Sequence, residues 1–558
     1  MSRPFETARF EALKRLAAKN YGKTTRAENE VLRRSASTEN DDPRESRERL
    51  EIRAEFLRWL ATDKEGAANI DALGIRVANI TIVTPLELDY CKLTFPLRFD
   101  YCTFLGPLSF VSAELPTLSF FHCETGAAVY AEGLKTTGSV FLRNLNAYGE
   151  IRLVGAQIGG FLNCGGATLN PRGDALVADG AKIGTYFFLR PEFCCHGIIR
   201  LAGAEIGRDL DCTGATLKAT GDVLFADGAI IKGNVFLRGF SSSGGIRLVG
   251  TQIDGDLDCI SSQVVELYCR EMRVAGDLIW MNVRQPSQTN LRLSGATIGT
   301  LHDDQASWPH AGRLHILDFA YRDLALHEKS TDLMDKPQLA HSLRLRVEDR
   351  IEWLMLQPKG ERVIAQPWIQ VANLLEANGD ADGAKQVVYE YRRQQMGYSN
   401  SALRLVTWPY DRLEEQPLWI GVPILTLGAV GSFMFWRARR ISAMAPTDKD
   451  ARTTLEKCGK LPAGYPPFNP IVYALENVLP VIKLGQDSAW TPDPQAPTDN
   501  WVPERPVWLR RLASRWRFTR YVSRLDYRRL AVLRWTLILL GWAFALILAA
   551  AIGSRFKP

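Results

Sequence analysis

The feature that most restricts this chain is that residues 151 to about 298 repeat nearly the same phrase. IRLVGAQIG from Ile151 returns as IRLAGAEIG from Ile199, IRLVGTQID from Ile246 and LRLSGATIG from Leu291, a period of about 45 to 48 residues. A second phrase alternates with it: AEGLKTTGSVFLR from Ala131, ADGAKIGTYFFLR from Ala178 and ADGAIIKGNVFLR from Ala226. Each long period therefore holds two halves of about 22 to 25 residues, the length of one solenoid coil.

Upstream, PLELDYCKLTF from Pro85, PLRFDYCTFLG from Pro96 and PLSFVSAELPT from Pro107 recur about every 11 residues, close to two fives. Residues two apart on a short strand point the same way. Ala156 with Ile158, Ala167 with Leu169, Ala181 with Ile183, Ala204 with Ile206, Ala215 with Leu217 and Ala296 with Ile298 are therefore expected to enter a narrow core together. Gly155, Gly203, Gly250 and Gly295 hold one place in successive periods, where a corner or close stacking tolerates little side chain. This grammar resembles that of the pentapeptide-repeat proteins and their looser relatives. The resemblance implies a mainly β fold, a right-handed four-sided parallel β-helix over residues 70–302, and is almost silent on activity.

The flanking text divides the rest of the chain. Residues 1–69 are a polar segment with one possible short helix, the linker SASTENDDPRESRER, and an amphipathic capping helix from about Arg44 to Thr62. That helix has Ile52, Phe56, Leu57, Trp59 and Leu60 on one arc, with Arg53 the one charge inside it, and a solenoid end needs such a lid. After the repeats, HDDQASWPHAGRLH breaks the pattern and residues 303–416 read as a helical cap or stalk. PWIQVANLLEANGDADGAKQVVYEYRRQQ from Pro367 reads as two helices joined at Gly379, with Ile369, Val371, Ala372, Leu374 and Leu375 facing Ala384, Val387, Val388 and Tyr391. It resembles a single helical hairpin of the tetratricopeptide kind.

Two apolar stretches follow, PLWIGVPILTLGAVGSFMFW from Pro417 and RWTLILLGWAFALILAAAIG from Arg534, each long enough to span a bilayer. They predict transmembrane helices over residues 417–437 and 531–553, leaving a short tail at 554–558. The loop between them, residues 438–530, carries an interfacial or re-entrant helix near 468–486 that includes Glu476 and Lys483. The chain's formal net charge is only +6, but from Arg437 to Arg529 about 17 basic residues face about 9 acidic ones. Arg437, Arg439 and Arg440 follow the first stretch, and Arg510, Arg511, Arg515, Arg517, Arg520, Arg524, Arg528 and Arg529 precede or enter the second, interleaved with Trp508, Trp516, Phe518 and Tyr521. Placed beside membrane segments, this run is expected on an anionic lipid surface, each basic residue adding about 1 kcal/mol, rather than on nucleic acid.

The arrangement as a whole, carried by NPIVYALENVLPVIKLGQDSAW and the GAxIG repeats, is similar to a bacterial family of β-helix proteins with a paired C-terminal membrane segment. Members are often labelled membrane-associated oxidoreductases, which implies redox chemistry. The residues themselves supply no catalytic, cofactor or metal motif. No GxGxxG precedes a helix, and the histidines have no zinc spacing. Cys164, Cys212 and Cys259 form a structural core column, because two coils at about 4.8 Å each keep neighbours nearly 10 Å apart. Cys102 and Cys123 lie about one coil apart, where a disulfide and ordinary stacking are both open. Cys194, Cys195 and His196 read as corner residues. His302, Asp303, Asp304, His310 and His315 cluster at the solenoid's end, as a solvated loop or a metal or catalytic site.

The reading that follows is a non-enzymatic, membrane-anchored scaffold with a protein partner or self-association. An oxidoreductase and an oligomeric pore, the latter suggested by Glu476 and Lys483, are its alternatives. Topology pits two rules against each other. The positive-inside rule places the basic loop in the cytoplasm and the solenoid outside. The N-terminus MSRPFETARFEALKRL has no signal-peptide core, and ten cysteines without a CxxC pair suit a reducing compartment. The expectation is a bacterial inner-membrane protein with a cytoplasmic solenoid.

Overall fold

A coil with one or two apolar side chains per short strand has a core too thin to stand alone, so it is buried by the coils above and below it. The computed structural model describes residues 3–39, 50–326, 346–360, 363–397, 421–479, 482–496, 499–500 and 524–555. They fall into two units, residues 1–398 and 399–558.

The first unit is a parallel β-solenoid of about 11 turns with helices at its ends. One turn reads Val129–Tyr130, Lys135–Thr136, Val140–Arg143 and Asn146–Ala147, after which Ile151–Arg152 lies in register on Val129–Tyr130. These strands build an 11-stranded sheet, a 9-stranded sheet and a 20-stranded sheet that carries two ladders. The expected alternation holds. Ala156 and Ile158, Ala204 and Ile206, and Ala296 and Ile298 are at most 2 % exposed, while Gln157, Glu205 and Thr297 between them face solvent. Each buried Ile or Leu stabilises the stack by about 1.5–3 kcal/mol. In the first turns, where alanines are sparse, Phe99, Phe104, Phe110 and Phe120 fill the core with ring centroids 5.1 to 6.2 Å apart.

The corner glycines are there for backbone conformation and not for crowding. Gly155, Gly203 and Gly250 have φ of 64, 62 and 64°, yet a Cβ on any of them would meet nothing within 4 Å. A left-handed corner disfavours other residues. The same column is nevertheless held by Tyr90 and Ser112 in early turns and by Glu271 and Asp318 in late ones, at φ of 52 to 56°, so stacking between turns imposes the corner. The departures from strict fives are also local. Register shifts fall between Asp174 and Leu176 and between Asp222 and Leu224, so the extra residues of alternate turns are absorbed where the chain enters the 11-stranded sheet.

Both ends differ from the sequence expectation. Leu50–Ile52 is not the first turn of a helix but a strand parallel to Ile80–Ile82, and the capping helix is Ala54–Thr62. Residues 40–49, where that helix was expected to begin, lie outside the described residues. Arg53, expected inside the apolar arc, is the N-cap residue, and its guanidinium forks onto Glu28 at 2.9 and 2.7 Å. Glu28 is fully buried and belongs to a capping box with Thr25. Two helices, Arg3–Tyr21 and Arg26–Ala36, stand where one short helix was expected. At the other end the pairing does not stop near residue 302. Thr297–Asp303 pairs with Ala320–Leu326, and Leu314–His315 lies on Leu291–Arg292, extending the solenoid into the segment read as helical. Helices Val347–Met355, Ala365–Ala377 and Ala381–Gly397 follow. The last two are joined at Gly379 as expected, with Val371, Ala372, Leu375, Ala384 and Val387 buried, although Ile369 is exposed.

In the second unit, helices Gly421–Arg440, Pro470–Val478 and Tyr527–Arg555 pack around Phe435, Tyr473, Ala474, Val478 and Leu537. A Cβ on Gly431 would lie 2.9 Å from Leu537 and one on Gly541 2.2 Å from the Val478 carbonyl, so both glycines set how closely the helices approach. Among the described residues one helix, Tyr527–Leu546 within the last of these, is long and apolar enough to cross a membrane, where the sequence predicted two. In the helix Gly421–Arg440, the apolar part before Arg437 is about 16 residues, about 24 Å at 1.5 Å per residue. That is short of a core about 30 Å thick, and residues 417–420 lie outside the described ones.

The inward and outward assignment predicts that Ile206→Asp, which puts an unpaired carboxylate into the core at a cost of several kcal/mol, unfolds or insolubilises the solenoid. Glu205→Ala leaves circular dichroism and melting temperature nearly unchanged.

Candidate interaction surfaces

The cysteines of the inner columns are packing residues. Backbone bonds run from Cys164 N to Phe188 O, from Leu189 N to Asp211 O, from Cys212 N to Phe236 O and from Leu237 N to Asp258 O. Leu189 and Leu237 thus hold the turns in between, and Cys164, Cys212 and Cys259 stand two turns apart. All three are at most 1 % exposed, and burial pushes their thiols well above the ordinary range. Cys102 and Cys123 are free thiols in adjacent turns, and each donates to backbone carbonyls, Cys102 to Val77 O and Cys123 to Phe99 O, both at 3.4 Å. Cys194 and Cys195 are not corner residues but form a strand of the 9-stranded sheet. Burial pushes the Cys195 thiol up to about 12, while Cys194 Sγ lies 4.0 Å from His196 Nδ1.

The terminal cluster is a latch, not a solvated loop. His302, Asp303 and Asp304 are buried. Asp303 takes a two-pronged pair from Arg350 at 2.8 and 2.7 Å and a bond from Trp308 Nε1 at 2.9 Å. Asp304 accepts from Asn282 N and from the Ser307 hydroxyl. His302 Nε2 lies 3.2 Å from Asp277. Arg350 and Asp303 have side chains no more than 1 % exposed, so this ion pair ties the helix Val347–Met355 to the last turns. His310 is exposed and His315 half-buried. Among the described residues no group of three or more His, Cys, Asp or Glu is arranged to hold a metal.

The outer faces are ordered as well. On the 11-stranded sheet Arg152, Arg200, Arg247 and Arg292 stand on every second turn. Each pairs back one turn: Arg152 with Glu132 at 2.6 Å, Arg200 with Asp179 at 2.7 Å, Arg247 with Asp227 at 2.8 Å and Arg292 with Glu266 at 2.7 Å. The arginine of IRL and the acid of AEG or ADG are therefore halves of one contact. Sequence reasoning missed this pairing, although both residues stood in the repeats. One ladder of the 20-stranded sheet bears a half-buried aromatic row, Phe121, Phe141, Phe161 and Phe188, with centroids 5.1 to 6.0 Å apart. Arg98 and Arg190 lie over its ends.

Along the other ladder of that sheet runs a trough of about 880 Å³, from Lys92 to Lys232. Its width comes from Gly159, Gly184 and Gly207, where a Cβ would fall 2.4, 2.1 and 2.0 Å from the carbonyl oxygen one turn back. Those contacts exclude any side chain, so the column stays open.

In the second unit Glu476 is not an open ionisable group. Its carboxylate accepts the backbone N–H groups of Leu484, Gly485, Gln486 and Asp487 at 2.8 to 3.0 Å, and Asp487 pairs with Arg534 at 2.6 Å. Lys483 is exposed. Of the basic run, Arg437 is buried while Arg439, Arg440 and Arg528 are exposed. Arg440 stacks on Trp436 at 4.1 Å, and Arg529 is 3.7 Å from Asp526. Arg524 opens a two-residue strand, and Arg510, Arg511, Arg515, Arg517 and Arg520 lie outside the described residues.

Comparison of the chain with protein-family models, with curated proteins and with solved structures returns no match.

Two outcomes follow from these contacts. At pH 8 a thiol reagent modifies exposed Cys458 in the native chain, while Cys164, Cys212 and Cys259 react only in denaturant, as peptide mapping would show. Arg350→Ala, which strands a buried carboxylate at a cost of about 3–5 kcal/mol, loses hydrogen-exchange protection first in residues 297–326.

Proposed function

We propose that this chain is a membrane-anchored scaffold: a solenoid that presents its ordered side faces to a protein partner or a second copy, held on a bacterial inner membrane by its C-terminal unit. The observation that carries the reading is the surface of the helix Tyr527–Arg555, on which Val532, Trp535, Leu539, Trp542 and Leu546 are each more than half exposed. Apolar side chains of that size, in contiguous rows, mark a surface that meets lipid or protein rather than water. In the same proposal the solenoid is right-handed and four-sided, the first apolar stretch is a second span, and Arg439, Arg440 and Arg528 rest on anionic lipid. The solenoid faces the cytoplasm.

A pore is disfavoured by the four amide donors on Glu476, which fix it as the anchor of the loop after Val478. Redox chemistry rests on the family resemblance. The purified chain is expected to show no stoichiometric visible absorbance, and such absorbance would replace the scaffold with an oxidoreductase. The scaffold reading also predicts that the full chain floats with liposomes, more completely when they contain anionic lipid. A chain that stays in the aqueous fraction in both cases contradicts it.

A further inference from the structure

We infer that the trough on the 20-stranded sheet is a docking groove for an acidic polyproline-II segment of a partner protein, with an acidic residue at every third position. The inference rests on the partner-binding reading above and names the partner's chemistry.

One wall of the trough is a single column of outward residues, Lys92, Glu114, Lys135, Gln157, Lys182 and Glu205, in register from turn to turn. The lysines occupy every second turn because Lys135 and Lys182 come from the second repeated phrase and Gln157 and Glu205 from the first. Successive turns rise about 4.7–4.9 Å, so the lysines are spaced about 9.5 Å apart. A polyproline-II helix has three residues per turn at about 3.1 Å each, a repeat of about 9.3 Å that places every third residue on one face. An extended strand has nearly the same three-residue length, but every third residue alternates between its faces. It also has no ladder to join, because the hydrogen bonds of this sheet run between turns along the solenoid axis. The floor suits a chain without its own pairing: Pro116, Thr137, Gly159, Gly184 and Gly207, kept low by the carbonyl contacts of the glycines.

Charge sets the sign of the occupant. Lys92, Lys135, Lys182 and Lys232 line the trough against Glu114 and Glu205. The lysines already touch acids, Lys92 and Lys135 at Glu114 (3.0 and 3.6 Å), Lys182 at Glu205 (2.9 Å) and Lys232 at Asp254 (3.2 Å), but their side chains are 78, 53, 60 and 59 % exposed. Pairs that exposed are weak and exchange readily for an incoming carboxylate.

The test uses the full-length chain in detergent micelles and two fluorescent peptides of the same composition, built from aspartate and proline. One has aspartate at every third position and the other has its aspartates contiguous. Anisotropy titrations are expected to show the first peptide binding at least tenfold more tightly than the second, losing affinity as salt rises. Binding is expected to weaken at least tenfold in the double variant Lys135→Gln, Lys182→Gln, whose melting temperature is unchanged. Equal affinity for the two peptides, binding unaltered by the variant, or no binding overturns the inference. So does a linear carboxylated polysaccharide that occupies the same lysines more tightly than either peptide. If peptide binding fails while the chain still floats with anionic liposomes, the groove assignment falls and the membrane-anchored scaffold does not.

Discussion

The structure depends on one constraint: every turn must close over the same narrow core and hand the chain to the next turn in register. Parallel ladders satisfy their backbone hydrogen bonds only between turns, so an error in one turn is passed to its neighbours. Small residues two before each Ile or Leu, as in Ala156 with Ile158, keep the core thin enough to fill. Left-handed corners, at Gly155 in the middle and at Tyr90 and Asp318 near the ends, keep the turns superimposed. Surplus residues are taken up by the bulges at Asp174 and Asp222 and by the short turn Pro286–Gln288.

Outward residues are not bound by that constraint, and there the alternation of the two phrases has its consequence. One phrase supplies arginine and the next supplies acid, so that Arg200 meets Asp179 and Arg247 meets Asp227 across neighbouring turns. The same alternation spaces Lys135 and Lys182 two turns apart beside a floor of glycine. A repeat of one identical coil would stack like charges directly opposite one another, which is unfavourable on a sheet. The two-turn period thus places opposite charges beside one another on the surface.

Much of the solenoid was legible in the sequence because a period of two and a period of about 22 residues both leave visible marks. The cysteine column followed from the same arithmetic. What could not be read were contacts between distant residues with no periodic signature. Leu50–Ile52 sits in a helical pattern and becomes a strand because Ile80–Ile82 offers an edge. Asp303 lies in a polar stretch that reads as a loop, and only Arg350, 47 residues away, makes it a buried anchor. Glu476 read as an ionisable group near a membrane, and the four amides that enclose it come from the start of the short helix Gln486–Ala489 and the two residues before it. The Arg–acid pairs were hidden differently, since both partners were visible but the one-turn offset between them was not.

Distance along this unit is counted in turns and not in residues. Spin-label distances in a chain with Cys91, Cys194 and Cys458 replaced by serine read this directly. Labels at Lys92 and Lys182, four turns apart in the lysine column, and at Lys92 and Gln252, seven turns apart, are predicted to lie about 19 and about 34 Å apart at about 4.8 Å per turn. Distances that do not grow in the ratio of four to seven would contradict the stacked-turn register on which the core, the paired faces and the groove all rest.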